Sequence, residues 1–207
     1  VLDGLNENGE LDESSDFNPK IDHSAYAISK HFSEMEVWRA SAEGLNTVIV
    51  NPGIIIGSGN WKESSGTLFK ELGENAYTFS GGTSYVDVRD VAQISIELME
   101  KNIFGERFIL VSESAKYEEI GNLIRQKLGK SPMKLLPNVV LKVGFYLNLL
   151  FGWLFSPLKM ANKVNIKSVT EFNKISNKKI KEKLNYQFIP LEESLAFHLE
   201  NYKKDRS

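Results

Sequence analysis

Residues Thr47-Val-Ile-Val-Asn-Pro-Gly-Ile-Ile-Ile56 make an apolar run with no alternation. A strand with one wet face alternates; a run that is apolar at successive positions is the pattern of a strand buried on both faces, as in parallel sheets covered by helices. Just upstream, from Ser24 to about Glu43, apolar residues recur at helical spacing (Ile28, Phe32, Met35, Val37, Trp38), and Gly44 stops the run as a C-terminal cap does. A helix feeding a buried strand through a short glycine turn is half of a βαβ unit, which sets the class as α/β.

The rest of the chain repeats this grammar. Tyr85–Val88 reads as a short extended piece, Asp90 is placed to cap a helix running to about Lys101, and Phe108–Val111 reads as a second buried strand. Residues 117–128 form an amphipathic pattern ended by Gly129, and 177–184 and 191–204 predict two further helices. Residues 57–83 hold six Gly and four Ser and read as a loop with a short helix near Gly66–Leu72. The first 22 residues carry seven acids against one Lys and read as an exposed loop; with Val at position 1, the sequence is expected to be a fragment or a processed chain. A hydrophobic share of 42% supports folding, and the absence of Cys excludes disulfide scaffolds, thiolate metal sites and Cys nucleophiles. A net charge of −2 gives no overall attraction for nucleic acid.

The chemistry is concentrated in Tyr26-Ala-Ile-Ser-Lys30. On a helix, i and i+4 lie one above the other, so the phenol and the ammonium share one space. A cation close to a phenol favours the phenolate, and a lowered pKa suits proton exchange with a substrate hydroxyl. This helix leads into the strand that ends at Asn51-Pro52-Gly53; Pro52 cannot donate to a ladder, so the strand opens there, and carboxyl ends of parallel strands are where α/β sheets bind ligands.

The order Tyr-x-x-Ser-Lys, then Asn-Pro-Gly-x-x-x-Gly, then Tyr-Val-Asp-Val-Arg-Asp-Val-Ala at 85–92, and finally Leu184-Asn-Tyr-Gln-Phe-Ile-Pro-Leu-Glu-Glu-Ser-Leu195, resembles the extended short-chain dehydrogenase/reductases, the NAD(P)-dependent epimerase/dehydratase group. The resemblance implies the C-terminal part of a Rossmann-type, doubly wound parallel sheet plus a smaller, mostly helical substrate-binding region. It divides the chain into 1–60 (catalytic helix and strand), 61–83 (substrate loop), 84–112 (return to the dinucleotide-binding domain) and 113–207 (substrate-binding region). It implies Tyr26 as the catalytic acid/base, Lys30 as its helper and as a partner of the nicotinamide ribose, and backbone groups of Pro52, Gly53 and Ile54 against the carboxamide of NAD or NADP. Asp90 matches an Asp that opens a helix in the family.

Two departures stand out. No Gly-x-x-Gly-x-x-Gly loop follows a strand in these 207 residues, and the family's upstream Ser or Thr has no counterpart; the chain is expected to lack a pyrophosphate site and to be inactive alone. Thr83 and Ser84 stand where nucleotide-sugar enzymes usually carry an Arg, and Trp61, Phe69, Tyr77 and Phe79 crowd the loop, which leans toward the dihydroflavonol-reductase-like branch and bulky, apolar carbonyl/alcohol substrates. The four aromatics read equally well as packing. A non-catalytic, cofactor-sensing or membrane-associated binding protein on the same fold is the alternative.

Of the 19 residues between Pro137 and Pro157, only Asn138, Lys142, Asn148 and Ser156 are clearly polar, and residues 158–183 hold eight Lys against two Glu. Such a helix needs cover from protein, as a roof over the substrate cleft, or from lipid, as peripheral membrane contact through 138–156 by a cytoplasmic protein. His23, His31 and His198 show no paired metal spacing, so no metal is expected, and no aromatics interleave the Lys run, so no nucleic acid is expected. A homodimer through the Tyr/Lys helix is implied by the resemblance and requires Met35 and Trp38 to face outward.

Overall fold

The structure is a computed structural model that describes residues 4–205. In chain order the elements are α1 (Ala25–Ala42), β1 (Val48–Pro52), β2 (Ile54–Ile56), a 3-10 turn (Ser64–Thr67), α2 (Leu68–Glu74), β3 (Tyr77–Thr78), β4 (Gly82–Asp87), α3 (Val88–Glu100), β5 (Glu106–Leu110), β6 (Glu113–Lys116), α4 (Tyr117–Lys127), β7 (Lys134–Leu135), α5 (Asn138–Phe151), a 3-10 turn (Ser156–Met160), α6 (Lys163–Thr170), α7 (Lys178–Leu184) and α8 (Leu191–Lys204). They group into two compact units. One takes the residues up to Thr67, Ser84–Ser114 and those from Asn173 onward; the other takes Leu68–Thr83 and Ala115–Phe172. The stretch from Asn173, expected with the substrate-binding region, therefore groups with the first unit.

In the first unit, Ser24 opens α1 by accepting the Ala27 N–H at 3.2 Å, and the helix ends at Gly44, whose φ of +100° only glycine takes at little cost. The run Thr47–Ile56 is two strands rather than one. β1 pairs in parallel with β5, from Val48 opposite Glu106 to Pro52 opposite Leu110, whereas β2 pairs in parallel with β4, from Ile54 opposite Tyr85 to Ile56 opposite Asp87. Both strands stay parallel and apolar, which is why the sequence shows no seam apart from Pro52-Gly53. The core of this unit gathers Val86, Ile94, Leu98, Phe108, Leu110, Ile180 and Leu184, that is, strands β4 and β5 covered by α3 and α7. Asp90 is not the cap of α3. Asp87 holds that place, accepting the Arg89 N–H at 2.8 Å, because the strand ends at Asp87 and the helix begins at Val88, before Asp90 is reached.

In the second unit, α2 packs on α4 around Phe69, Ile120, Ile124 and Met133, all buried. Arg125 lies in that packing and gives its guanidinium to backbone carbonyls, those of Ser131 (2.5 Å), Asn75 (2.8 Å) and Gly73 (3.2 Å). A buried cation is tolerated when its donors are satisfied in this way. β3 and β7 form a short parallel pair, and α5 follows with no buried residue. No described helix is long and apolar enough to cross a membrane.

Candidate active site

Gly53 sits where the chain changes partner. Its N–H still donates to Leu110 O on the β5 side at 3.0 Å, while a Cβ placed on it would stand 2.4 Å from Ser84 O on the β4 side. Only a residue without a side chain lets the backbone approach β4 so closely. The β1–β5 pair thus parts at the carboxyl end of β1, where β4 enters between β2 and β6 and Ser112 N–H donates to Tyr85 O at 2.7 Å; carboxyl ends of parallel strands are where open α/β sheets place ligands. Pro52 is exposed and Gly53 and Ile54 are half-buried at this point; the Gly53 N–H is spent on Leu110 and is not open to a ligand.

A carboxylate on helix α1 bonds to this strand end. The Glu34 carboxylate accepts from Asn51 Nδ2 at 3.2 Å, Arg107 Nη1 at 3.0 Å and Trp38 Nε1 at 3.3 Å. Burial pushes its pKa up, the Arg107 and Asn51 hydrogen bonds pull it down, and the net displacement is downward. Because α1 ends near the start of β1, it runs antiparallel to that strand. Lys30 and Tyr26 stand one and two turns before Glu34, about 6 and 12 Å along the axis toward the carboxyl end of β1. Tyr26 is 72% exposed, and the Lys30 ammonium lies 5.9 Å from its ring centroid. The two predicted groups share one open face, and among the described residues no carboxylate pairs with Lys30. Glu34 was missed from sequence, although it continues the ladder 26, 30, 34, 38 along the same face.

A second polar cluster also escaped the sequence reading. Asp87 is buried and accepts from Arg89 Nη2 (2.7 Å), Ser194 Oγ (2.7 Å) and His198 Nε2 (3.2 Å). A carboxylate can only accept, so His198 carries its proton on Nε2, and Nδ1 takes the Ser58 hydroxyl at 2.6 Å. Burial raises the Asp87 carboxyl, but the bonds from Arg89 and Ser194 outweigh it and bring the pKa to about 2. Burial lowers the His198 pKa despite its carboxylate partner, which keeps the imidazole neutral. Asp90 is buried as well, with Tyr186 Oη at 2.9 Å and the Ile189 N–H at 3.1 Å; burial raises its pKa. These groups fasten α8 and the segment before it to the end of β4. The signal for them was long-range and carried by single polar letters.

Of the four loop aromatics, Trp61 hydrogen-bonds Asp205 at 2.7 Å and packs edge-on to Tyr202, and Phe69 is fully buried. Those two are packing residues. Tyr77 is 55% exposed, and Phe79 is half-buried. Ser84, at the position where an Arg was sought, is buried and bonds Ser114 at 2.7 Å.

No family model matches the chain. It is similar to a sterol demethylase protein B of Methylococcus capsulatus, 27% identical over 129 residues that cover 61% of this chain and 39% of the relative. It is also similar to a tetraketide alpha-pyrone reductase 2 of Arabidopsis thaliana, 30% identical over 116 residues, 53% of this chain and 36% of the relative. The matches thus span well under half of either relative. Among solved structures, gox2253 superposes with a TM-score of 0.80 at 22% identity, over 98% of this chain and 63% of that one. A dTDP-glucose 4,6-dehydratase from Bacillus anthracis, solved in complex with NAD, superposes with a TM-score of 0.66 at 13% identity, over 96% of this chain and 59% of that one. The chain has the fold of the carboxyl-terminal part of the extended short-chain dehydrogenase/reductases, the NAD-dependent epimerase/dehydratase group that its motifs resemble.

Proposed function

We propose that this chain is the proton-transfer part of an NAD(P)-dependent oxidoreductase acting on the carbonyl/alcohol pair of a bulky, apolar molecule. One observation carries the reading: Tyr26 and Lys30 are exposed on α1 with the ammonium 5.9 Å from the ring centroid, on a helix whose Glu34 is bonded to Asn51 near the carboxyl end of β1.

The residues fit the nicotinamide end of the cofactor, since an ammonium without a carboxylate partner among the described residues and an exposed phenol are what a ribose hydroxyl and a reacting oxygen require. They do not fit its pyrophosphate end, for no glycine triplet of that kind occurs in these 207 residues. When bound, the cofactor supplies or accepts the hydride at the substrate carbon. In the reducing direction, Tyr26 Oη gives its proton to the oxygen that gains charge as the carbonyl is reduced. Lys30 stabilises the phenolate left behind, and solvent returns the proton. In the oxidising direction the same oxygen takes the hydroxyl proton. The bonds of Glu34 to Asn51 and Arg107, which tie α1 to β1 and β5, support a fixed place for the phenol relative to the strand end.

The names of the two curated relatives, a sterol demethylase protein and a pyrone reductase, support an apolar substrate, and the NAD complex of the dehydratase supports the cofactor class. Of the two residues required to face outward for pairing of α1 with a second copy, Met35 is exposed, as is Phe32, whereas Trp38 is half-buried and bonded to Glu34.

The test is nicotinamide absorbance during turnover of apolar ketones by the intact protein that contains this chain, with both reduced coenzymes. Lys30→Met is expected to lower kcat about 100-fold and to raise the KM for coenzyme. Unaltered turnover in that variant, or no coenzyme consumption with a panel of such ketones, overturns the reading.

A further inference from the structure

Helix α5 and the turn after it present apolar side chains to solvent over most of their surface, with the side of the helix that carries Leu141, Gly144, Phe145 and Asn148 half-buried. Leu149 is 70% exposed, Trp153 80% and Met160 71%, and Val143, Leu150 and Phe155 are exposed with them. An amphipathic helix buries one stripe, but α5 has none buried, and a contiguous patch of this kind marks a surface with a partner. Its fourteen residues rise about 21 Å, short of the about 30 Å of a bilayer's hydrocarbon core, so a helix of this length lies along an interface rather than across it.

Charge identifies the partner. From residue 120 to 170 there is no Asp or Glu, against one Arg and seven Lys. Arg125 is buried, but Lys142, Lys159, Lys163 and Lys167 are exposed around the apolar patch. The unit that contains α5 has ten Lys and Arg against five Asp and Glu, net +5, while the other has fifteen against twenty-two, net −7. Two copies meeting through this face would set cations against cations. An anionic lipid surface satisfies both features: leaflet charge meets the ammonium groups, whose stems reach along the apolar surface, and the acyl boundary takes up Leu149, Leu150 and Trp153, with Tyr146 and Trp153 of the residue types favoured at the headgroup level.

We propose that α5 and the turn through Met160 form a peripheral binding surface for anionic lipid bilayers. The proposal does not rest on the cofactor reading, since it uses none of the residues of α1 or β1.

Co-sedimentation of the intact protein with phosphatidylcholine vesicles, with and without phosphatidylglycerol, tests it. Binding is expected to vesicles that contain phosphatidylglycerol, at least ten-fold weaker to phosphatidylcholine alone, and to fall steeply with salt. The pair Leu149→Glu/Leu150→Glu is expected to lose at least ten-fold, and Lys159→Glu/Lys163→Glu to lose the preference for the anionic lipid. All four side chains belong to the open face, and unchanged far-ultraviolet circular dichroism confirms folding of the variants. Trp153 fluorescence is expected to shift to shorter wavelength on vesicles and to be quenched by brominated acyl chains. No binding to anionic vesicles, binding unaffected by the variants, or variants that instead abolish a dimer seen by analytical ultracentrifugation would overturn the proposal.

Discussion

Helices α3 and α1 are associated with the same strand, β1, by opposite means. α3 buries Ile94 and Leu98 in the core and is capped by Asp87. α1 buries no residue, leaves Phe32 64% and Met35 50% exposed, and is tied down through the hydrogen bonds of Glu34. Packing holds the frame, and a polar tie holds α1. Under the proposed function the Tyr26 phenol must meet a substrate and cannot lie under a core, which accounts for the burial that α1 gives up and α3 keeps.

The largest effect should come from the frame. Leu98→Ala is expected to cost about 2–5 kcal/mol in urea unfolding, whereas Met35→Ala on α1 should stay within about 0.5 kcal/mol. Equal losses would break the contrast. Glu34→Ala takes the acceptor from Asn51 Nδ2 and Arg107 Nη1, while Arg107 Nη2 keeps the Glu13 and Ser15 carbonyls, and is expected to cost about 1.5–3 kcal/mol, with faster amide exchange confined to α1. Exchange spread over the whole unit would mean that α1 is part of the core after all. Gly53→Ala forces a methyl toward Ser84 O and is expected to cost about 1–3 kcal/mol. The smallest effect concerns His198. Its folded pKa lies below the ordinary 6.5, so the unfolded chain takes up the proton first. Stability from this group is complete above pH 6.5 and is lost as the pH falls toward the folded value. Thermal melts between pH 7 and 5 should therefore decline in the parent protein and flatten in His198→Gln. Asp87 adds loss only at lower pH, between its ordinary 3.8 and about 2.

What could be read from the sequence was what is local. Apolar periodicity located α1, α3, α4, α7 and α8, and the Tyr26/Lys30 pair was visible because i and i+4 adjoin on any helix. Pro52-Gly53 signalled an opening, but two sheets meeting there follow from pairing with strands more than 30 residues away in sequence. The tie from Glu34 to Arg107 spans 73 residues and that from His198 to Asp87 spans 111. No local pattern encodes such contacts; each end is a single polar residue in an otherwise ordinary helix or strand. Asp90 was read as a cap because Asp often caps, whereas its carboxylate is buried under Tyr186. Helix α6 was hidden in a Lys-rich stretch whose charges mask its weak apolar stripe.

Tyr26→Phe removes one oxygen from an exposed side chain and leaves Glu34 and β1 untouched. In the intact protein that contains this chain, the account predicts loss of coenzyme-dependent turnover by a factor of about 100 or more, with coenzyme affinity by fluorescence titration unchanged. Turnover retained in that variant would contradict it.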